Sequence, residues 1–173
     1  MLKKSKVAGV IVFTHTFHMK EGELVALLHR RGRWNLETGK QELYPYCCEV
    51  SAHGKVLNED DGDCFHAAMR EAERELGPVF AKILGVLKDN VFVLCDSPTK
   101  VTYGIVVPPD TLRHIRLEAS AGGMELVSRD ELSGIQNIMN FSKSDGVIDL
   151  SVIAMYTDEV KALKAGFKKF GSR

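Results

Sequence analysis

The sequence predicts an α/β domain in which an amphipathic helix lies against a β-sheet. Three observations predict this class. Short apolar runs rich in β-branched and aromatic residues, such as 7–13 and 101–107, recur between turn residues. Between them lies one strongly periodic segment, with Phe65, Ala68, Met69, Ala72 and Leu76 at i, i+3, i+4, i+7 and i+11. The chain has 173 residues, 45% hydrophobic and 27% charged, which suits one core, and shows no repeat, low-complexity tract or domain boundary.

Residues 7–14 and 23–29 are expected to be two strands of a hairpin. Its polar tip carries His15 and His18, which are either tip residues or metal ligands, and ends in a Glu21-Gly22 turn. Residues 30–46 read as a long loop with the single tryptophan, Trp34. Trp34 with Arg30, Arg31 and Arg33 suits stacking on a base with phosphate contacts, or equally a packed loop aromatic beside exposed arginines. Segments 47–51 and 55–57 are expected as short strands on either side of a His53-Gly54 turn, before an acidic loop at 58–62.

Asp63 is a good N-cap for the periodic helix, because its carboxylate accepts orphan backbone N–H groups. Gly77 sits at a C′ position and Pro78 is expected to stop the helix. Glu71 and Glu75, one turn apart, fall at a border of the apolar face, with Arg70 and Arg74 further toward solvent and His66 on the surface. Further strands are expected at 81–87, 91–94, 101–107 and 125–127, with a break at 108–111 and a helix start at Asp130. Residues 147–170 are helical in pattern, in one or two pieces, and Lys161, Lys164, Lys168 and Lys169 form a solvated face.

Charge excludes some functions. Lys+Arg and Asp+Glu both total 23, so no net field favours nucleic acid or a membrane surface. No apolar run approaches the roughly 20 residues that cross a bilayer. A cytoplasmic protein is the simplest expectation. Cys47, Cys48, Cys64 and Cys95 have no Cys-x-x-Cys spacing and are expected to be reduced, mostly buried thiols.

Arg70-Glu71, Glu75 and Gly77, preceded by Ala67-Ala68 and by Gly54-Lys55-Val56, form a recognisable set. A second stretch, Glu125-Leu126-Val127 running into Asp130-Glu131-Leu132, lies downstream in the same order. Together they resemble the signature of the Nudix (MutT-like) superfamily, written Gly-x5-Glu-x7-Arg-Glu-U-x-Glu-Glu-x-Gly-U with U a bulky aliphatic residue. The resemblance covers about 5–157 of a single domain spanning 1–173, leaving 158–173 as a C-terminal helical extension. It implies an α/β/α sandwich with a mixed β-sheet between helices. It also implies hydrolysis of a nucleoside diphosphate linked to another group, through Mg²⁺ or Mn²⁺.

By position in the box, Glu71 and Glu75 would be metal ligands, with Glu71 also the candidate base. A backbone carbonyl of His53 or Gly54 would complete the set, and Arg70 would pair with a loop carboxylate to orient the helix. The chemistry needs such groups because a diphosphate repels nucleophiles. A divalent cation neutralises that charge and lowers the pKa of a bound water.

Three departures bear on function. Fifteen residues separate Gly54 from Arg70, two more than in the family. The loop glutamate falls on Gly62, so Glu59, Asp60, Asp61 or Asp63 must replace it. The first Glu of the Glu-Glu pair is Arg74, a cation that cannot ligate metal and competes with it for Glu71 and Glu75. The alternative is that Arg74 contacts substrate phosphate, with Glu118 or Glu125 completing the ligand set. Ser51-Ala52-His53 invites comparison with isopentenyl-diphosphate isomerases, where a catalytic Cys stands two positions before a metal-binding His. Two functions follow from the resemblance: a metal-dependent diphosphate hydrolase, or a weakened or inactive nucleotide-binding or regulatory module. In either the partner is a small nucleotide or diphosphate, and a homodimer is compatible.

Overall fold

The computed structural model describes residues 6–16, 22–36, 38–141 and 147–171. The hairpin tip with His18 lies outside them. Strand β1 (Val7–Thr16) is the centre of a mixed sheet and runs parallel to β8 (Lys100–Val106). Its other side is shared. The first half, from Val7 to Val10, pairs antiparallel with β6 (Ala52–Lys55), and the second half pairs with β2 (Glu23–Arg31). Strand β5 (Cys48–Glu49) joins β2 near its end, β9 (Ala121–Ser128) covers the far side of β2, and β7 (Phe92–Asp96) is the edge beyond β8.

Ser51 sits where β1 parts from β2. Its hydroxyl oxygen accepts the Val12 N–H at 2.8 Å and donates to the Leu27 carbonyl, closing the fork. The hydroxyl is therefore spent on the backbone, unlike the cysteine nucleophile with which sequence compares it.

Alternation along the strands sorts side chains into two cores. Val10, Val12, Leu27 and Ile105 meet Ala72 and Leu76 of α1 (Cys64–Leu76) and Phe80 and Leu84 of α2 (Pro78–Val86). Ile11, Phe13, Ala26 and Leu28 meet Ala162, Leu163 and Phe167 of α3 (Thr157–Phe170) on the opposite face. This is the expected sandwich of a mixed sheet between helices. The lysines at 161, 164, 168 and 169 are on its exposed side.

Several elements differ from expectation. Residues 81–87 lie in helix α2 and its end, not in a strand. Pro78 does not end helical structure; it opens a second helix at a first-turn position, where its missing N–H costs nothing. Gly77, at φ 94°, makes the break between the two. His53 and Gly54 lie inside β6 and do not form a turn. Within 30–46, β2 continues to Arg31 and a small hairpin pairs β3 (Trp34–Asn35) with β4 (Lys40–Gln41). Helix begins only at Thr157 in the last segment, after Ala154–Met155 has paired with Gln136–Asn137. Among the described residues no helix is long and apolar enough to cross a membrane. All four cysteines are free; Cys47 and Cys48 are buried and the other two half-buried.

Candidate functional site

Helix α1 starts as its cap predicts, with the Asp63 carboxylate accepting the N–H groups of Phe65 at 2.8 Å and His66 at 3.2 Å. From that start the 3.6-residue repeat brings Glu71 and Glu75 onto the helix face against β6, each only 5% exposed. Gly54 is needed for this approach. A Cβ there would lie 2.2 Å from Glu71 Cδ, so any larger residue would push the carboxylate away from the strand. The next residue back, His53, donates its backbone N–H to Glu75 Oε2 at 3.1 Å.

Arg70 clamps the loop before the helix. It donates to both oxygens of Asp60, at 3.1 and 3.0 Å, and to the Lys55 carbonyl at 2.8 Å, and it also pairs with Glu71 Oε1. Asp60 further accepts the Leu57 N–H at 2.7 Å. The hydrogen bonds from Arg70, then that from Leu57, hold its carboxyl below the usual range. Of the four candidate loop carboxylates, Asp60 is thus the partner of Arg70; Glu59 approaches only to 3.4 Å and is exposed.

Arg74 reaches three carboxylates. It donates to Glu71 Oε2 at 2.9 Å, to Glu75 Oε1 at 2.6 Å, and to both oxygens of Glu118 at 3.1 and 2.9 Å. Burial opposes the charge on Arg74, but Glu75, Glu71 and Glu118 more than offset it and hold the guanidinium protonated. Burial pushes the Glu75 carboxyl up to about 8, against the pull of Arg74 and the His53 N–H.

These groups line a cleft of about 570 Å³. Its carboxylates are Glu42, Glu49, Glu71, Glu75 and Glu118; its cations are Arg31, Lys55, Arg70 and Arg74. The cleft is therefore close to neutral, with one carboxylate in excess. Arg31 is bridged by Glu42 at 3.0 Å and Glu49 at 2.6 Å. Burial, outweighing Arg31, raises the Glu49 carboxyl, and burial lowers His29 and His53.

As arranged, the residues do not fit a divalent cation. Both oxygens of Glu71 are taken by Arg70 and Arg74, and those of Glu75 by Arg74 and the His53 N–H. Among the described residues no three His, Cys, Asp or Glu side chains are grouped to hold a metal ion. The space between the carboxylates is occupied by a guanidinium.

Other candidates are placed differently. Trp34 is half exposed with the Arg33 guanidinium 5.8 Å from its ring centroid, and neither residue lines the cleft, although their neighbours Gly32 and Asn35 do. Arg30 is fully buried and bound to Glu125, at 2.8 Å, and to the carbonyls of Tyr46, Leu150 and Val152, so it cannot meet a phosphate. Glu125 is consumed by that contact, and Glu118 joins the site instead. His15 Nδ1 lies 2.9 Å from the Gly22 carbonyl, closing the hairpin end, and His66 is exposed. Sequence reasoning missed His29 and Glu49. Their signal was a polar residue at an inward position of an otherwise apolar strand.

No family model and no curated relative matches the sequence. Solved structures do. The chain is similar to a MutT/Nudix family protein from Listeria innocua at TM-score 0.63 and 17% identity, covering 99% of this chain and 96% of that one. It is similar to a MutT/Nudix family protein from Enterococcus faecalis at TM-score 0.60 and 13% identity, over 100% of this chain but only 64% of that one's length. A third is the Nudix domain of Shewanella oneidensis NrtR complexed with ADP-ribose, at TM-score 0.55 and 10% identity, covering 96% and 88%. At these identities the likeness carries the fold: the chain has the Nudix fold that its box residues implied.

Proposed function

We propose that this Nudix-fold cleft binds a nucleotide-type diphosphate without metal-dependent hydrolysis. The observation that carries this reading is the position of Arg74, bound at once to Glu71, Glu75 and Glu118 where the family's pattern directs carboxylates at a cation. A divalent ion would have to displace a cation that is part of the chain. Phosphate oxygens face a smaller obstacle. Arg74 is 44% exposed, and its planar fork suits phosphate as well as carboxylate. Lys55 lies on the same cleft as a second cation. A structural neighbour that binds ADP-ribose supports the ligand class.

A weakened hydrolase is the second reading. It is favoured by the Arg70–Asp60 clamp and by the seating of Glu71 over Gly54, which keep the helix as a hydrolase would need it. One experiment separates the two. Calorimetry with ADP-ribose in EDTA measures binding, and product release with Mg²⁺ or Mn²⁺ measures turnover. Binding without turnover supports the binding module. Turnover by the unmodified protein, abolished by Glu75→Gln, overturns it. If Arg74→Glu alone acquires metal-dependent turnover, the cleft is a hydrolase site silenced by that arginine.

A further inference from the structure

We propose that Glu118 is an intrachain competitor for the phosphate site: its carboxylate holds Arg74 where a ligand's anionic oxygens would meet it, and gives way when a diphosphate binds. The inference rests on the reading of the cleft as a diphosphate site and names what regulates entry to it.

The Arg74 guanidinium divides its donors among three carboxylates. Nε donates to Glu71, Nη2 to Glu75, and Nη1 to both oxygens of Glu118, at 3.1 and 2.9 Å. A phosphate would present its oxygens to the same nitrogen, because arginine makes strong charge-assisted bonds to either anion.

The three partners differ in what their release costs. The side chains of Glu71 and Glu75 are only 7% and 6% exposed. A carboxylate freed from Arg74 there stays inside the protein, and an ion left unpaired out of water is strongly unfavourable. The Glu118 side chain is 24% exposed, and among the described residues Arg74 is its only partner. On release it turns to water, which replaces the lost bonds. Its backbone need not follow. The Arg116 N–H donates to the Leu76 carbonyl at 2.8 Å, and the Glu118 carbonyl accepts the Ala121 N–H at 3.0 Å, so the segment is pinned on both sides of the side chain. Leu117 and Ala119, beside it, are exposed. Rotation about side-chain bonds alone uncovers Nη1.

The competition has a direction. Tethering gives Glu118 a high effective concentration at Arg74. The apparent affinity of any anion is therefore reduced by the fraction of molecules in which Glu118 is turned away. A carboxylate is at most singly charged, whereas a diphosphate is multiply charged and finds a second cation at Lys55 on the same cleft. A diphosphate overcomes the tethered carboxylate more readily than a singly charged anion does.

The test is calorimetry on the full chain in EDTA, with ADP as the probe. Glu118→Gln keeps the size of the side chain and removes its charge. It should tighten ADP binding about three- to fivefold, the upper part of the range for a solvent-accessible ion pair. Glu118→Ala, which removes the carboxyl group altogether, should do the same. Glu73→Gln makes the same change of charge at the exposed residue next to Arg74, outside the cleft lining, and should leave ADP affinity close to that of the unmodified protein. Affinity unchanged in both Glu118 variants overturns the proposal, as does weaker binding in them, which would make Glu118 one of the ligand's own contacts. An equal gain from Glu73→Gln also overturns it, because the gain then reflects net charge and not competition at Arg74. In each of these cases ADP still binds and the diphosphate reading stands. Binding that appears only in the Glu118 variants is the expected result in stronger form; no ADP binding by the unmodified protein or either Glu118 variant removes both readings.

Discussion

Replacing Arg74 by glutamine tests the claim that a guanidinium occupies the place of a metal ion. The side chain joins Glu71, Glu75 and Glu118, of which the first two are almost fully buried. Breaking a fully buried ion pair typically costs about 3–5 kcal/mol. Here the cost is smaller for three reasons. Arg74 is 44% exposed, so solvent screens its pairs. Glu71 keeps Arg70. Glu75, already pushed up to about 8 by burial, takes up a proton at neutral pH and does not persist as a bare charge. A loss of roughly 1–3 kcal/mol follows, which for a chain of this length lowers the melting midpoint by about 3–10 °C. The informative comparison is between EDTA and millimolar Mn²⁺, measured by circular dichroism. Arg74→Gln frees oxygens on all three carboxylates, so Mn²⁺ at a hundred times its dissociation constant should restore about 2.7 kcal/mol. The unmodified protein should melt at the same temperature in both. An equal Mn²⁺ shift in both proteins, or a variant as stable as the parent in EDTA, refutes the reasoning.

Asp60→Asn should lower the melting midpoint far more than Glu59→Gln, since Asp60 alone is buried and doubly bonded to Arg70. The Asp60 pKa is depressed in the fold, so its stabilisation is present above the unfolded value near 3.8 and lost as pH falls below it; Asp60→Asn should flatten that acid limb in a pH series of thermal melts. Glu75 has the opposite sign. Its folded pKa of about 8 exceeds the unfolded 4.5, so stability should decline between those values as pH rises, and Glu75→Gln should remove the decline. Gly54→Ala should lower stability and ADP-ribose affinity together by displacing Glu71, read by melting and calorimetry. Burial raises both the Cys47 and the Cys48 thiols, the latter to about 12, so mass-mapped alkylation of the native protein should label Cys64 and Cys95 first.

The parts of the fold that sequence conveyed are those set by local rules. Asp63, the apolar spacing of α1 and Gly77 act within a few residues of themselves, and all behave as read. The failures share a different origin. The run 81–87 is apolar without a decisive period, and only its packing of Phe80 and Leu84 under the sheet makes it a helix. Gly54 looked like a turn residue, yet its small size serves Glu71, seventeen positions away. Arg30 looked like one of a solvent-facing basic group, but strand alternation turns it inward to Glu125, a partner 95 positions later. The choice of Asp60 from four loop acids depends on where a short 3₁₀ turn at Asn58–Asp60 aims its last residue. Each of these depends on long-range register or on local geometry that composition does not encode.

The same register explains why an arginine at position 74 is tolerated and why it limits what the cleft can do. Positions 71, 74 and 75 of one helix are neighbours on its surface, so a cation at 74 lies between carboxylates at 71 and 75 without any distortion. Glu118 closes the third side from the segment before β9. Three carboxyl groups crowded together would repel one another wherever they ionise; the guanidinium relieves that repulsion at any pH the protein meets. The site is consequently stable without a metal, and for the same reason any anionic ligand must draw Arg74 from Glu118 and its neighbours before gaining its charge. Binding and the release of those carboxylates are therefore opposed.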